Sequence, residues 1–257
     1  MSSFRVLQFN MQFGQIWDDK YPDFAPVRLE RTVQEIKRHN ADIVMLQEVE
    51  QTPPEGIQLQ PPPNYTRLRS ELPGYDGWFS YPKADPRELP FGVGLAILSR
   101  TPLRLTTRID VPSPAIEFEF FGKKTTPTDR VMIGANTTVC GRDLRVYTTH
   151  LLAFFMLGSS STANPFQRRQ VAEQLSAASG PTILCGDFNV SRHQSLVAQF
   201  GEKGFKTVQD TEATWRRRPF ILDHVFYNAG LRCISHRVEP TPASDHHALV
   251  ADFEFVD

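Results

Sequence analysis

Cysteine is scarce in this chain and shows no pairing pattern. Cys140, Cys185 and Cys233 are odd in number, far apart and without CxxC spacing, which argues against a disulfide framework and a cysteine-ligated zinc site. Cys185, inside an apolar run, reads as a core residue. Neither sign of charge is in excess, with 28 Lys and Arg against 29 Asp and Glu, a net charge of −1. A dedicated non-specific nucleic-acid binder is usually more basic, so that class is disfavoured unless a local basic patch supplies the contact. No apolar run approaches the roughly 20 residues of a membrane span. The opening MSSFRVLQFN lacks the basic start and apolar segment of a secretory leader, so a cytoplasmic, reducing location is expected. There is no nucleophilic Ser or Cys in an elbow motif and no Gly-rich nucleotide loop.

What is present is ordinary material for a packed core. Hydrophobic residues make up 40% of the chain and charged residues 22%. The 257 residues are expected to form one domain, 1–257, and a monomer. Strand patterns are expected at 4–10, 42–48, 92–99, 103–110, 130–139, 143–150, 182–187, 221–227, 231–238 and 248–255. Helical spacing falls at 25–40, at 164–179, with Asn164 as a cap and Gly180 beyond its end, and at 191–204. Strands joined partly by hairpins and partly by helices point to two packed sheets flanked by helices. The Pro-rich QTPPEGIQLQPPPN (51–64) reads as a surface excursion, since no repeat or shift in composition marks a linker.

The stretch ILCGDFNV (183–190) ends an apolar strand on a carboxylate, Asp187, and a carboxamide, Asn189. Turn chemistry alone would accept these residues. The same happens elsewhere, however. Asn10 ends the first strand and Glu48 the second, His150 ends another, Asp223 and His224 lie in LDHVF, and Ser244, Asp245, His246 and His247 open the last. Strand ends gathered at one rim would form a cleft rich in carboxylates and imidazoles.

That inventory suits metal-assisted hydrolysis of a phosphoester. Glu48, Asp245 and Asn10 offer the hard oxygens that hold Mg²⁺ or Mn²⁺. A cation there would neutralise a phosphate oxygen as charge builds. Asp187 is suited to position or deprotonate the attacking water, and Asn189 to hold it or to donate to a phosphate oxygen. His246 with Asp223 resembles a carboxylate-oriented imidazole.

The ordered set Asn10, LQEV, GVGLAILSR, TTHL, GDFN, LDHVF and SDHHALV resembles the endonuclease/exonuclease/phosphatase superfamily, the DNase I-like proteins, from residue 10 to residue 246. The general look is similar to small bacterial metal-dependent hydrolases of that superfamily, and the DNA-clamping insertions of abasic endonucleases are not found. The resemblance implies a four-layer α/β sandwich of two packed mixed β-sheets flanked by helices, with Mg²⁺ at Glu48 and with Asn10 and Asp245 near it. It implies that Asp187 and Asn189 flank the scissile phosphate, that His150 bonds a phosphate oxygen and that Asp223 orients His246. His224 and His247 receive no role, and His247 reads as structural.

Substrate choice lies in the connecting loops. In LLAFFMLGSSSTANP (151–165) the apolar residues either pack under the adjacent helix, the favoured reading, or present Phe155 as an apolar lip for a lipid-like group. In TWRRRPF (214–220) the arginines are either solvated or recruit an anionic substrate through Arg216, Arg217 or Arg218. The leading expectation is a Mg²⁺-dependent phosphodiesterase or phosphatase acting on a small or lipid-like phosphoester. A nuclease comes second, and a catalytically silent binding module of the same fold third.

Overall fold

The computed structural model describes residues 2–256. Its strands are β1 (Ser3–Asn10), β2 (Ile43–Gln51), β3 (Asp76–Ser80), β4 (Gly92–Ser99), β5 (Arg104–Val111), β6 (Phe118–Phe120), β7 (Lys123–Thr125), β8 (Arg130–Val139), β9 (Arg142–His150), β10 (Thr182–Asp187), β11 (Phe205–Thr207), β12 (Asp223–Asn228), β13 (Leu231–Glu239) and β14 (Ala248–Phe255). The helices are α1 (Leu29–His39), α2 (Pro63–Glu71), α3 (Phe166–Ser176) and α4 (Gln194–Gly201). One sheet runs β13-β14-β1-β2-β4-β3, a second β11-β12-β10-β9-β8-β5, and β6-β7 stand apart as a hairpin. Each large sheet has one parallel pair, β1 with β2 and β9 with β10, among antiparallel neighbours.

Side chains alternate between the two faces of a strand, and in the central strands both faces are buried. From β1, Phe4 and Val6 join Ile133, Ile183, Cys185 and Val225 between the sheets, whereas Leu7 and Phe9 face outward to meet Val33 and Ile36 of α1 and Leu68 of α2. The second sheet repeats this, turning Met132, Leu184 and Phe226 outward against Val171 and Leu175 of α3 and Leu196 and Phe200 of α4. The result is the expected sandwich of helix, sheet, sheet and helix. Burial on both faces explains why the strands read as continuous apolar runs. Each such side chain contributes about 1.5–3 kcal/mol on leaving water.

The differences from expectation are local. α1 starts at Leu29 because the chain before it is extended at Ala25 and Val27 bridges Gln15, and it stops where Asn40 adopts a left-handed conformation. α3 begins after Pro165, and Asn164 turns back to Ser159 instead of capping it. The Pro-rich excursion carries the first turn of α2, which opens on Pro63, a residue suited to that place because its missing N–H is not needed there. Glu48 does not end its strand: β2 continues to Gln51 through a bulge between Gln47 and Glu50, with Glu48 at φ 51°.

Candidate active site

The topology brings polar strand ends to one rim. In the second sheet, register places Asp187 beside His150 of β9 on one side and Asp223 of β12 on the other. Ile183 and Cys185 face the other sheet, and two-residue alternation sets Asp187 on that same inner face. From the first sheet come Asn10, at the end of β1, and Glu48, turned by the bulge of β2. Gly92 stands against Glu48, and a Cβ there would lie 2.3 Å from the Glu48 Cβ and Oε2. His246 arrives from the segment leading into β14, with its backbone N–H donating to Ser244 Oγ while that hydroxyl donates to the Asn10 carbonyl.

Asn10 joins the two sheets chemically. Its Nδ2 donates to Glu48 Oε1 at 3.0 Å and to Asp187 Oδ2 at 3.1 Å. His150 Nε2 lies 3.6 Å from Asp187 Oδ2 and 3.8 Å from Glu48 Oε1. His246 Nε2 lies 3.6 Å from the same Asp187 oxygen, and its Nδ1 is 2.7 Å from Asp223 Oδ2. Asp223 is held in turn by Gln8 Nε2, which donates to its Oδ1 at 3.2 Å, and by its own N–H donating to Thr214 Oγ1. Behind it Gln8 and Gln47 bond reciprocally, and Gln47 Nε2 donates to Thr148 Oγ1. This is a buried polar bridge from sheet to sheet.

Asn189, in a left-handed conformation at φ 51°, donates its backbone N–H to Asp187 Oδ1. Its side-chain Nδ2 donates to the Leu151 carbonyl and points at His150 Nε2, each at 3.0 Å. The Leu151 carbonyl assigns the amide orientation, so His150 Nε2 is the acceptor and the ring is neutral. Burial, with Arg130 and His246 nearby, also holds the His150 pKa well below the ordinary imidazole range. His246 is the opposite case. Burial disfavours its charge, but Asp223 and Asp187 outweigh burial and hold it well above that range.

The carboxylates themselves are under strain. Burial, then repulsion from Asp245, pushes Glu48 up to about 7. Burial, with Asp223 and Glu48 close by, raises Asp187 as well. Among the described residues, two groups of three donors lie within 4.8 Å of one another: Glu48, His150 and Asp187, and Asp187, Asp223 and His246. The first group offers two hard carboxylate oxygens beside the Asn10 amide and fits a divalent cation whose charge would relieve that repulsion, the His150 Nε2 lone pair being taken by Asn189. Asp245 belongs to neither group. Its Oδ2 accepts from Trp215 Nε1 at 3.1 Å and from Arg217 Nε at 2.9 Å.

Other sequence candidates take separate places. His224 points away from the site, accepts or donates at Thr207 Oγ1, stacks on Phe226 and is lowered by burial to about 3, as a neutral core histidine is. Phe154 is buried, Phe155 is half-exposed, and Met156 is 65% exposed, so the two readings of that loop divide between adjacent residues. Phe155 packs on Trp215 and Phe220, with centroids 5.7 and 5.5 Å away, and the Trp215 ring is 6.4 Å from that of His246. Arg216 donates to the Thr241 carbonyl and Arg217 pairs with Asp245 and Asp23. Arg218 is exposed, with its guanidinium 6.0 Å from the Phe220 ring.

Arg130, which the sequence reading did not single out, lines a small cleft with His150, Pro82, Val93 and Gly94. Its Nε is buried without a hydrogen-bond partner among the described residues. It opens β8 at the same rim, so the signal was the one used for the other candidates, a polar residue at a strand boundary. Trp215 and Gly92 carried no such mark, because their roles depend on neighbours distant in sequence.

Comparison with known proteins bears on the fold and the family. The chain is 33% identical over 118 residues to a UPF0294 protein of Yersinia pseudotuberculosis, a match covering 44% of each chain, so it spans less than half of that relative's length. It superposes on the endonuclease/exonuclease/phosphatase of Beutenbergia cavernae with a TM-score of 0.73 at 21% identity, over 99% of this chain and 72% of the other. It superposes on the mannosyl-6-phosphatase Bt3783 of Bacteroides thetaiotaomicron with a TM-score of 0.70 at 16% identity, over 98% of this chain and 100% of the other. These likenesses establish the fold. The model of the Endonuclease/Exonuclease/phosphatase family matches residues 7–246, and the chain belongs to that family.

Proposed function

We propose that this chain is a Mg²⁺- or Mn²⁺-dependent hydrolase of small or lipid-like phosphoesters, acting by direct attack of water. The observation that carries this reading is the line Asp223–His246–Asp187 meeting Glu48 and Asn10 across the two sheets. Glu48, beside Asn10, is the residue to hold the cation, with Asp245 offering its free oxygen. When bound, the cation supplies charge that neutralises a phosphate oxygen in the transition state.

The protein's own groups do the rest. Asp187, facing His246 Nε2 and held by Asn189, takes a proton from the water whose oxygen bonds to phosphorus. Asn189 holds the Asp187 carboxylate through its backbone N–H. His246, kept protonated by Asp223 on Nδ1, presents Nε2–H to the phosphate as the ester P–O bond breaks, and the leaving oxygen takes its proton from solvent. Arg130 supplies a permanent charge and an unused N–H on the His150 side, where a phosphate oxygen would lie.

Phe155, Trp215 and Phe220 form an apolar wall next to His246, which suits an acyl- or aryl-bearing alcohol group. A nucleic-acid substrate is less favoured, because Arg216 and Arg217 are engaged within the protein and the net charge is −1. A silent binding module is disfavoured by the cost of burying Glu48, Asp187 and Asp223 together with nothing to hold. The test is a panel of bis-p-nitrophenyl phosphate, a p-nitrophenyl monoester, inositol phosphates, phospholipid head-group esters, plasmid DNA and RNA, with Mg²⁺ and with excess chelator. Turnover of a small ester that chelator abolishes is expected. Chelator-resistant turnover, or salt-sensitive DNA cleavage with no small-ester activity, would overturn the reading.

A further inference from the structure

Among the described residues, Arg217 is the one arginine of its loop bonded to a carboxylate of the site. Its Nε donates to Asp245 Oδ2 at 2.9 Å, and Nη1 donates to Asp23 Oδ1 at 2.6 Å. Asp245 is nearly buried, with 10% of its side chain exposed, whereas Asp23 is 68% exposed on the short turn Pro22–Phe24. The guanidinium rests 5.6 Å from the centre of the Trp17 ring. The backbone beneath is fixed, since Arg216 N–H donates to the Asp245 carbonyl and His247 N–H to that of Thr214. Trp215 Nε1 brings a second donor to Asp245 Oδ2.

We propose that Arg217 is a positioning residue that tempers cation binding, dividing one positive charge between the site carboxylate Asp245 and the rim carboxylate Asp23. The inference rests on the cation-dependent reading above. With two N–H donors on Oδ2, that oxygen is fully engaged, and Asp245 offers a cation only Oδ1. A guanidinium does not deprotonate, so much of the Asp245 charge stays cancelled at every working pH. Asp23 draws the same fork in the opposite direction. Loss of Arg217 therefore releases an oxygen and a full negative charge towards the cation, whereas loss of the Asp23 charge leaves Arg217 to Asp245 alone. The two changes act with opposite signs, which a clamp serving only to stiffen the loop would not produce.

The experiment titrates Mn²⁺ and Mg²⁺ into the full chain by calorimetry, without substrate, for wild type, Arg217→Met, Arg217→Lys and Asp23→Asn. Expected are a Kd about 10-fold lower in Arg217→Met, the scale of one screened neighbouring charge, and a Kd about 2-fold higher in Asp23→Asn. Arg217→Lys keeps the charge and should stay within about 2-fold of wild type. Asp23 is at the surface, so its variant tests the sign even where Arg217→Met fails to fold. Unchanged Kd values, or weaker binding in both Arg217→Met and Asp23→Asn, would overturn the proposal while leaving the cation reading intact. Absence of cation binding in wild type would instead remove the reading on which it rests.

Discussion

Gly92→Ala is the most informative single change in this molecule. It adds one methyl group, and no left-handed backbone angle stands in its way. The added carbon would lie 2.3 Å from the Glu48 Cβ and Oε2 and 2.7 Å from Cγ. Carbon contacts are comfortable at about 3.5 Å or more, so Glu48 must retreat by roughly 1 Å. It cannot do so by swinging its far end alone, because its Cβ is among the atoms struck and its backbone is fixed by the bulge. Overpacking of this kind costs about 1–3 kcal/mol of stability, which leaves a protein of ordinary stability folded. A catalytic group misplaced by about 1 Å costs about 100-fold in rate. Gly92→Ala should therefore lower Tm by several degrees and kcat by about 100-fold, with weaker Mg²⁺ binding by calorimetry. Gly186→Ala is the contrast, since its Cβ would meet the Thr149 carbonyl oxygen at 2.3 Å, and expression and stability should suffer first. A Gly92→Ala protein with unchanged cation affinity and rate would show that the placement of Glu48 is not what the site depends on.

Glu48→Gln should abolish Mg²⁺-dependent turnover while the circular dichroism spectrum stays unchanged; retained activity would remove Glu48 from the cation site. His246→Ala should lower kcat by about 100-fold or more and Asp223→Asn should fall in the same direction, with His247→Ala mild; the reverse order would show that the motif's register has been misread. In chelator, stability should decline as pH rises. Glu48 goes from 4.5 to about 7 on folding, so its contribution is full below about 4.5 and lost as pH climbs through 7, up to about 3 kcal/mol by linkage. His246, also raised, acts in the same sense, whereas His150 and His224, lowered on folding, act oppositely only below about 6.5, so urea melts between pH 6.5 and 8.5 should show the decline, with Mg²⁺ flattening it; stability rising across that window would contradict the assignment. Phe155→Ser should raise KM for aryl or acyl esters and spare hydrophilic ones, and a general loss of stability would return Phe155 to the core.

Most of the ten long strands were legible because burial on both faces leaves an unbroken apolar signature, the largely exposed edge strands β5 and β13 showing through β-favouring residues instead, and helical spacing placed α1, α3 and α4 approximately. The short strands β3, β6, β7 and β11 and the helix α2 were not, because three to five residues carry too little pattern and α2 hides behind consecutive prolines. The polar strand ends were visible one at a time, and the structure shows why they converge. The parallel pairs β1–β2 and β9–β10 each direct two C-terminal ends to one rim. What sequence could not supply was partnership across distance. Nothing local in Asp245 announces that Trp215 and Arg217 take its Oδ2, and nothing in Gly92 announces the carboxylate beside it. Glu48 looked like a strand terminus because a bulge and a terminus leave the same mark, a charged residue interrupting an apolar run.

The buried glutamine bridge has a bearing on how this molecule could fail. Gln8 and Gln47 belong to one sheet, Thr148 and Asp223 to the other, and Asp223 is the residue that steadies His246. Slippage of one sheet over the other would break these bonds before either sheet lost its own ladders, and would leave carboxamides facing apolar neighbours. A half-assembled chain, with each sheet formed but the two undocked, would therefore have no residual catalysis to offer. Loss of activity on heating should coincide with loss of the whole fold, because the distance from Asp223 to His246 is set by the same bonds that align the two halves of the sandwich.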